Sequence, residues 1–225
     1  MSDIFFSFFI IIIASGGIFF YVFNYMPNRK EHVKDLYAEG LDLLIEGKRK
    51  AAYQNFKDII EKDSENIKAY LRLGQVLREG GNAQQALKIH KSLLHRKKIN
   101  QFDKLELHKN LVLNFYQLDS LTASLNELNN IIKLDKSNEW ATGYLVKIYC
   151  KMQDWKNAFD SLEKYQKLTN KIDNHKLALY KIQEGRVYLN EKKFRKSRKA
   201  LEESIHICAD IAAAYYFIAN TYSEE

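Results

Sequence analysis

The sequence predicts an all-α protein, an N-terminal transmembrane helix followed by a solenoid of helix hairpins. Three observations carry this. A compact residue returns along the chain at a nearly constant interval. One proline and nine glycines in 225 residues suit helices and argue against a sandwich or a parallel sheet. Residues 4–23, IFFSFFIIIIASGGIFFYVF, run for twenty residues without a charge.

The clearest hairpin is Ala69 to Leu94, AYLRLGQVLREGGNAQQALKIHKSLL. Leu73, Gly74 and Leu77 share a face of a first helix, Gly80-Gly81-Asn82 reads as a turn, and Ala86, His90 and Leu93 share a face of a second. Small residues at Gly74 and Ala86 let two antiparallel helices approach closely, and larger apolar neighbours fill the remaining volume. This is the pattern of the tetratricopeptide repeat, a unit of about 34 residues that stacks into a right-handed superhelical solenoid.

Copies flank it. Residues 40, 74, 112, 146, 185 and 219 correspond, at steps of 34, 38, 34, 39 and 34. The two long steps fall on KKINQFDK and TNKIDNHK, polar stretches that read as loops between repeats. The repeats are placed at 33–66, 67–104, 105–138, 139–177 and 178–210, with an incomplete one at 211–225. KLDKSN after the third repeat echoes EKDSEN after the first, and the proline that usually ends each repeat is missing throughout.

Residues 1–26 read as a membrane anchor. A helix of twenty residues spans roughly 30 Å, the thickness of a bilayer's hydrocarbon core. A cleaved signal peptide is the competing reading, but Met1-Ser2-Asp3 carries no basic residue and the apolar run continues past Ala14-Ser15-Gly16. Arg29, Lys30 and Lys34 follow the span and none precedes it, which predicts Met1 outside and the repeats in the cytoplasm, joined by a short basic linker at 27–32.

The net charge is +7, and every acidic residue except Asp3 lies beyond the apolar run, as do all 35 Lys and Arg. That excess suits anionic lipid or an acidic partner. Its densest run, KKFRKSRK at 192–199, places Phe194 and Ser197, with Leu201, on the repeat's buried face, so its cations read as a solvated helix side and not a nucleic-acid site. Cys150 and Cys208 form no CxxC pair, the six histidines are scattered, and no HExxH, GxSxG or phosphate loop occurs. No enzyme, cofactor or metal site is expected in this chain.

Binding remains. In such arrays the first helix of each hairpin lines the concave surface, which points to Gln75, Arg78, Lys109, Tyr116, Lys147, Lys151, Arg186 and Asn190 as a basic, aromatic-edged groove for an acidic or extended peptide. Taken singly, each is equally readable as an ordinary exposed helix residue. His90 takes an aromatic position and reads as a packing residue.

The anchor, the basic linker, and repeats reading YAEGLDLLIEGKRKAAYQNFKDIIEKD and then LGQVLREGGNAQQALKIHKSLL together resemble the lipopolysaccharide assembly protein B family. The resemblance implies a single-pass inner-membrane adaptor that binds the membrane protease FtsH and promotes turnover of the deacetylase committing to lipid A synthesis. It also implies further repeats and a C-terminal rubredoxin-type metal domain with two CxxC pairs. This sequence contains neither, so it reads as a C-terminally truncated member. A scaffold or assembly factor for another cell-envelope or secretion complex is the alternative reading.

Overall fold

The computed structural model describes residues 15–17, 20 and 29–225. The anchor expected at 4–23 therefore lies, apart from four residues, outside the described residues, as do Pro27 and Asn28 of the expected linker, while residues 29–32 of that linker open the first helix. Among the described residues no helix is long and apolar enough to cross a membrane. From Arg29 onwards the described chain is helical, without a strand.

Two compact units divide it, Met1–Gly81 and Asn82–Glu225. The first holds α1 (Arg29–Ile45), α2 (Arg49–Lys62) and α3 (Ile67–Glu79). Helices α1 and α2 pair because Gly40 has no side chain. A Cβ there would stand 2.5 Å from Asn55 Oδ1 and 2.8 Å from the Phe56 ring. Phe56 is fully buried, and Tyr37 meets it edge-on at 5.7 Å. Burying such a ring stabilises by about 1.5–3 kcal/mol.

The second unit holds α4 (Ala83–Leu93), α5 (Gln101–Gln117), α6 (Leu121–Leu134), α7 (Glu139–Lys151), α8 (Trp155–Thr169), α9 (Asn174–Asn190), α10 (Phe194–Ile207) and α11 (Ala212–Glu224). Helices α5 and α6, α7 and α8, and α9 and α10 pack as hairpins. Their cores follow one another: Val112, Leu128, Ile131 and Ile148; then Val146, Leu162 and Leu177; then Ile182, Leu201, Ile211 and Ala214. At the close approach of α5 and α6 the buried Ser124 hydroxyl donates to the Val112 carbonyl at 3.0 Å. Ser197 does the same to Gly185 at 2.8 Å between α9 and α10. Alanine stands at the matching positions, Ala52 and Ala158, both fully buried.

A left-handed turn between successive helices recurs along the chain. Residues 47, 81, 119, 153 and 192 all have left-handed φ, between 53° and 89° with Asn170 included. In four of them the next amide reaches back five residues, Lys48 to Leu43, Ser120 to Phe115, Asp154 to Tyr149 and Lys193 to Tyr188, at 2.8–3.0 Å. This is the helix-ending Schellman arrangement, which favours glycine at the left-handed position. Gly47 and Gly81 comply, but Asp119, Gln153 and Lys192 hold a Cβ there. We expect Gln153→Gly and Lys192→Gly each to stabilise the protein by about 0.5–1 kcal/mol, because relief of left-handed strain exceeds glycine's larger unfolded entropy. Chemical denaturation of the single variants checks this; equal or lower stability would remove the strain.

The two echoed segments start helices. Asn66 and Asn138 accept from the backbone amides of Ala69 and Ala141 at 3.1 and 2.9 Å. Their own amides donate to Asp63 and Asp135, whose other carboxylate oxygens accept from Glu65 and Ser137. An aspartate-fastened asparagine cap thus opens the next helix without proline, contributing about 1 kcal/mol.

Candidate protein-interaction site

On α5, Lys109 and Tyr116 stand two helical turns apart and share a face. On α7, Trp140, Tyr144, Lys147 and Lys151 follow at steps of four, three and four, a single stripe. Ala141, Thr142, Val146 and Ile148 of α7 are buried, Trp140 and Tyr144 are half-buried against the core, and Lys147 and Lys151 are exposed. Asn138 caps the helix at its start, so the register of the stripe is fixed from the first turn.

The two faces meet. Tyr116 and Tyr144 pack edge-on at 5.7 Å, and Trp140 stacks on Tyr144 at 4.7 Å. Three ammonium groups lie over these rings. Lys109 Nζ is 5.7 Å from the Trp140 ring, Lys147 Nζ is 4.7 Å from Tyr116 and 5.1 Å from Tyr144, and Lys151 Nζ is 4.8 Å from Tyr116. Each such contact contributes about 0.5–1 kcal/mol at an exposed site, and it orders a side chain that would otherwise sweep through solvent. Lys151 also pairs with Asp119 at 2.6 Å. That hydrogen bond holds the Lys151 ammonium pKa above its ordinary value. Among the described residues no carboxylate reaches Lys109 or Lys147. The result is a cationic surface braced on aromatic rings.

Four of the eight residues singled out from the sequence therefore come together: Lys109, Tyr116, Lys147 and Lys151. Arg186, on α9, has other partners. Its Nη1 donates to Gln183 at 3.0 Å and its guanidinium lies 5.1 Å over the Phe217 ring. Asn190 is exposed at the end of α9. Gln75 and Arg78 belong to the first unit. Gln75 accepts from Arg72 at 2.7 Å and donates to Glu79 at 2.8 Å. Arg78 departs from the expected exposed track, because only 9% of it is accessible. It sits in the last turn of α3, where a cation complements the helix dipole and its long stem can lie along apolar surface.

Trp140, Tyr144, Asp119 and Phe217 are not among the expected residues. A signal for Trp140 and Tyr144 exists, since they precede Lys147 by seven and three positions on one helical face. None exists for Asp119, because its ion pair joins residues from two different repeats.

Other groups serve packing. His90 is fully buried with Nδ1 2.7 Å from the Asn114 amide nitrogen, as expected of a core position. Burial and a hydrogen bond with Cys150 push the Tyr180 phenol pKa up. In the basic run, Ser197 and Leu201 are buried while Lys192, Lys193, Arg195, Lys196 and Lys199 are exposed. Arg198 instead pairs with Glu225 at 2.6 Å. Among the described residues no cluster of His, Cys, Asp and Glu could hold a metal ion.

A tetratricopeptide-repeat family model matches residues 43–98. Lipopolysaccharide assembly protein B of Escherichia coli (strain K12) is 23% identical over 132 residues, which cover 59% of this chain and 34% of that protein. The chain thus matches about a third of the length of that curated relative. Among solved structures, a tetratricopeptide repeat protein from Parabacteroides merdae superposes with a TM-score of 0.57 at 17% identity, covering 86% of this chain and 73% of that one. YrrB, described as a tetratricopeptide protein with an unusual peptide-binding site, superposes with a TM-score of 0.54 at 15% identity, covering 84% and 97%. The helices, the repeated turns and these likenesses agree on one conclusion: the fold is an all-α tetratricopeptide array.

Proposed function

We propose that this protein is a non-enzymatic adaptor that binds an acidic, extended segment of a partner protein across the α5–α7 surface. The observation that carries this is the set of three lysines held over Tyr116, Tyr144 and Trp140. Tetratricopeptide arrays offer extended surfaces built from their stacked hairpins, and YrrB, whose fold is similar, is described as having a peptide-binding site.

The finer reading follows the relative. Its name concerns lipopolysaccharide assembly, and the apolar run at 4–23 with basic residues after it supports an inner-membrane anchor with the array facing the cytoplasm. On this reading the adaptor brings the lipid A deacetylase to FtsH, and partner choice rests with the cationic face. Deleting residues 1–26, or reversing Lys109 and Lys147 together, should let the deacetylase accumulate in cells, as read by immunoblot. A secretion-dependent reporter fused after Lys50 should stay silent. Unchanged deacetylase in both variants would remove the lipopolysaccharide role, and an active reporter would remove the topology.

A further inference from the structure

Beside the cationic face lies an open surface pocket of about 560 Å³. Trp140, Gly143, Tyr144, Val146, Leu162 and Tyr165 line it, together with Glu139 and Lys176. The volume falls within the range of about 300–1,000 Å³ of cavities that hold ligands. Gly143 matters to the shape. A Cβ there would stand 3.1 Å from Tyr165 Cε2, so any side chain at 143 would press on the ring opposite and intrude on the space.

Two of the lining rings are shared with the cationic face. Trp140 lines the cavity and carries Lys109 over its ring, and Tyr144 lines it and carries Lys147. A chain whose carboxylates meet Lys109 and Lys147 thus lies against two of the rings that line the pocket. Aromatic rings pack best against such a lining, because they bury a large apolar area and meet other rings edge-on or offset-stacked.

We propose that this cavity receives an aromatic side chain of the bound acidic segment, making an aromatic residue among carboxylates the recognition element of this array. The proposal deepens the adaptor reading and rests on it. The anchoring ring supplies the apolar burial that solvent-facing ion pairs lack, and the ion pairs set the direction in which the segment lies.

The test uses the whole chain in a mild nonionic detergent and labelled acidic peptides of about twelve residues, which extend to roughly 40 Å. One tryptophan is moved along the peptide, and a reference peptide has alanine in its place. Fluorescence anisotropy should show at least one tryptophan position binding about tenfold more tightly than the reference. Gly143→Leu, shown to be folded by circular dichroism, should erase that difference while leaving the reference peptide's affinity within about twofold. The comparison of peptides on the unaltered protein needs no variant, so it stands even if Gly143→Leu fails to fold. Equal binding of every tryptophan peptide and the reference would overturn the cavity's role and leave the cationic face intact. Binding of none of them would overturn both.

Discussion

Replacing Gly185 with valine should disrupt the α9–α10 hairpin and lower the stability of the array strongly. A Cβ at 185 would stand 2.7 Å from Leu201 Cγ and 2.9 Å from its Cδ2, and the Ser197 backbone oxygen is 3.3 Å away. Leu201 cannot yield, because it is fully buried in the core with Ala178, Ile182 and Ala214. The helices must separate, which also breaks the bond from the Ser197 hydroxyl to the Gly185 carbonyl. Overpacking of this kind costs about 1–3 kcal/mol, and the lost buried bond adds about 1 kcal/mol. Ala51→Val, at an exposed position of α2, provides the comparison. Thermal melts should separate the two variants by several degrees, and hydrogen exchange should accelerate first in α9 and α10. Equal melting temperatures would refute the close approach.

Charge reversal of Lys109 and Lys147 together should weaken binding of an acidic peptide about tenfold, more than reversal of Lys193 and Lys196 on the exposed side of α10. Solvent-facing ionic contacts contribute only about 0.2–1 kcal/mol each, so the single variants should be nearly silent. The double variant removes two ordered ammonium groups and sets two carboxylates over rings whose faces are electron-rich. Binding to the unaltered protein should fall as salt rises, since charges farther apart than about 8 Å are screened at physiological ionic strength. Similar losses from both double variants would mean that net charge, and not this face, attracts the ligand.

The hairpins are legible in the sequence because their constraint is local and repeated. Gly40 and Gly185 mark close approach wherever they stand, and the left-handed turn residues follow at the same 34, 38, 34 and 39 steps as the compact positions. The replacement for proline is half legible: the echo of EKDSEN in KLDKSN is visible, but its meaning needs the Asn–Asp cap geometry. The candidate site is legible only in part. Lys109, Tyr116, Lys147 and Lys151 follow from their positions in the repeat. Trp140 and Tyr144 sit beside the apolar stripe, where an aromatic residue reads first as core. Arg78 reads as exposed because arginine usually is, and nothing in a linear pattern reveals a buried stem.

The ion pair between Asp119 and Lys151 gives this surface an internal counter-ion. An acidic segment short enough to meet only Lys109 and Lys147 finds both ammonium groups without a carboxylate partner among the described residues. A longer one meets at Lys151 an ammonium group that Asp119 already neutralises at 2.6 Å, so its third contact gains less. Affinity for a series of acidic peptides should then rise with the first carboxylates and level off at the next, with Asp119 setting the limit.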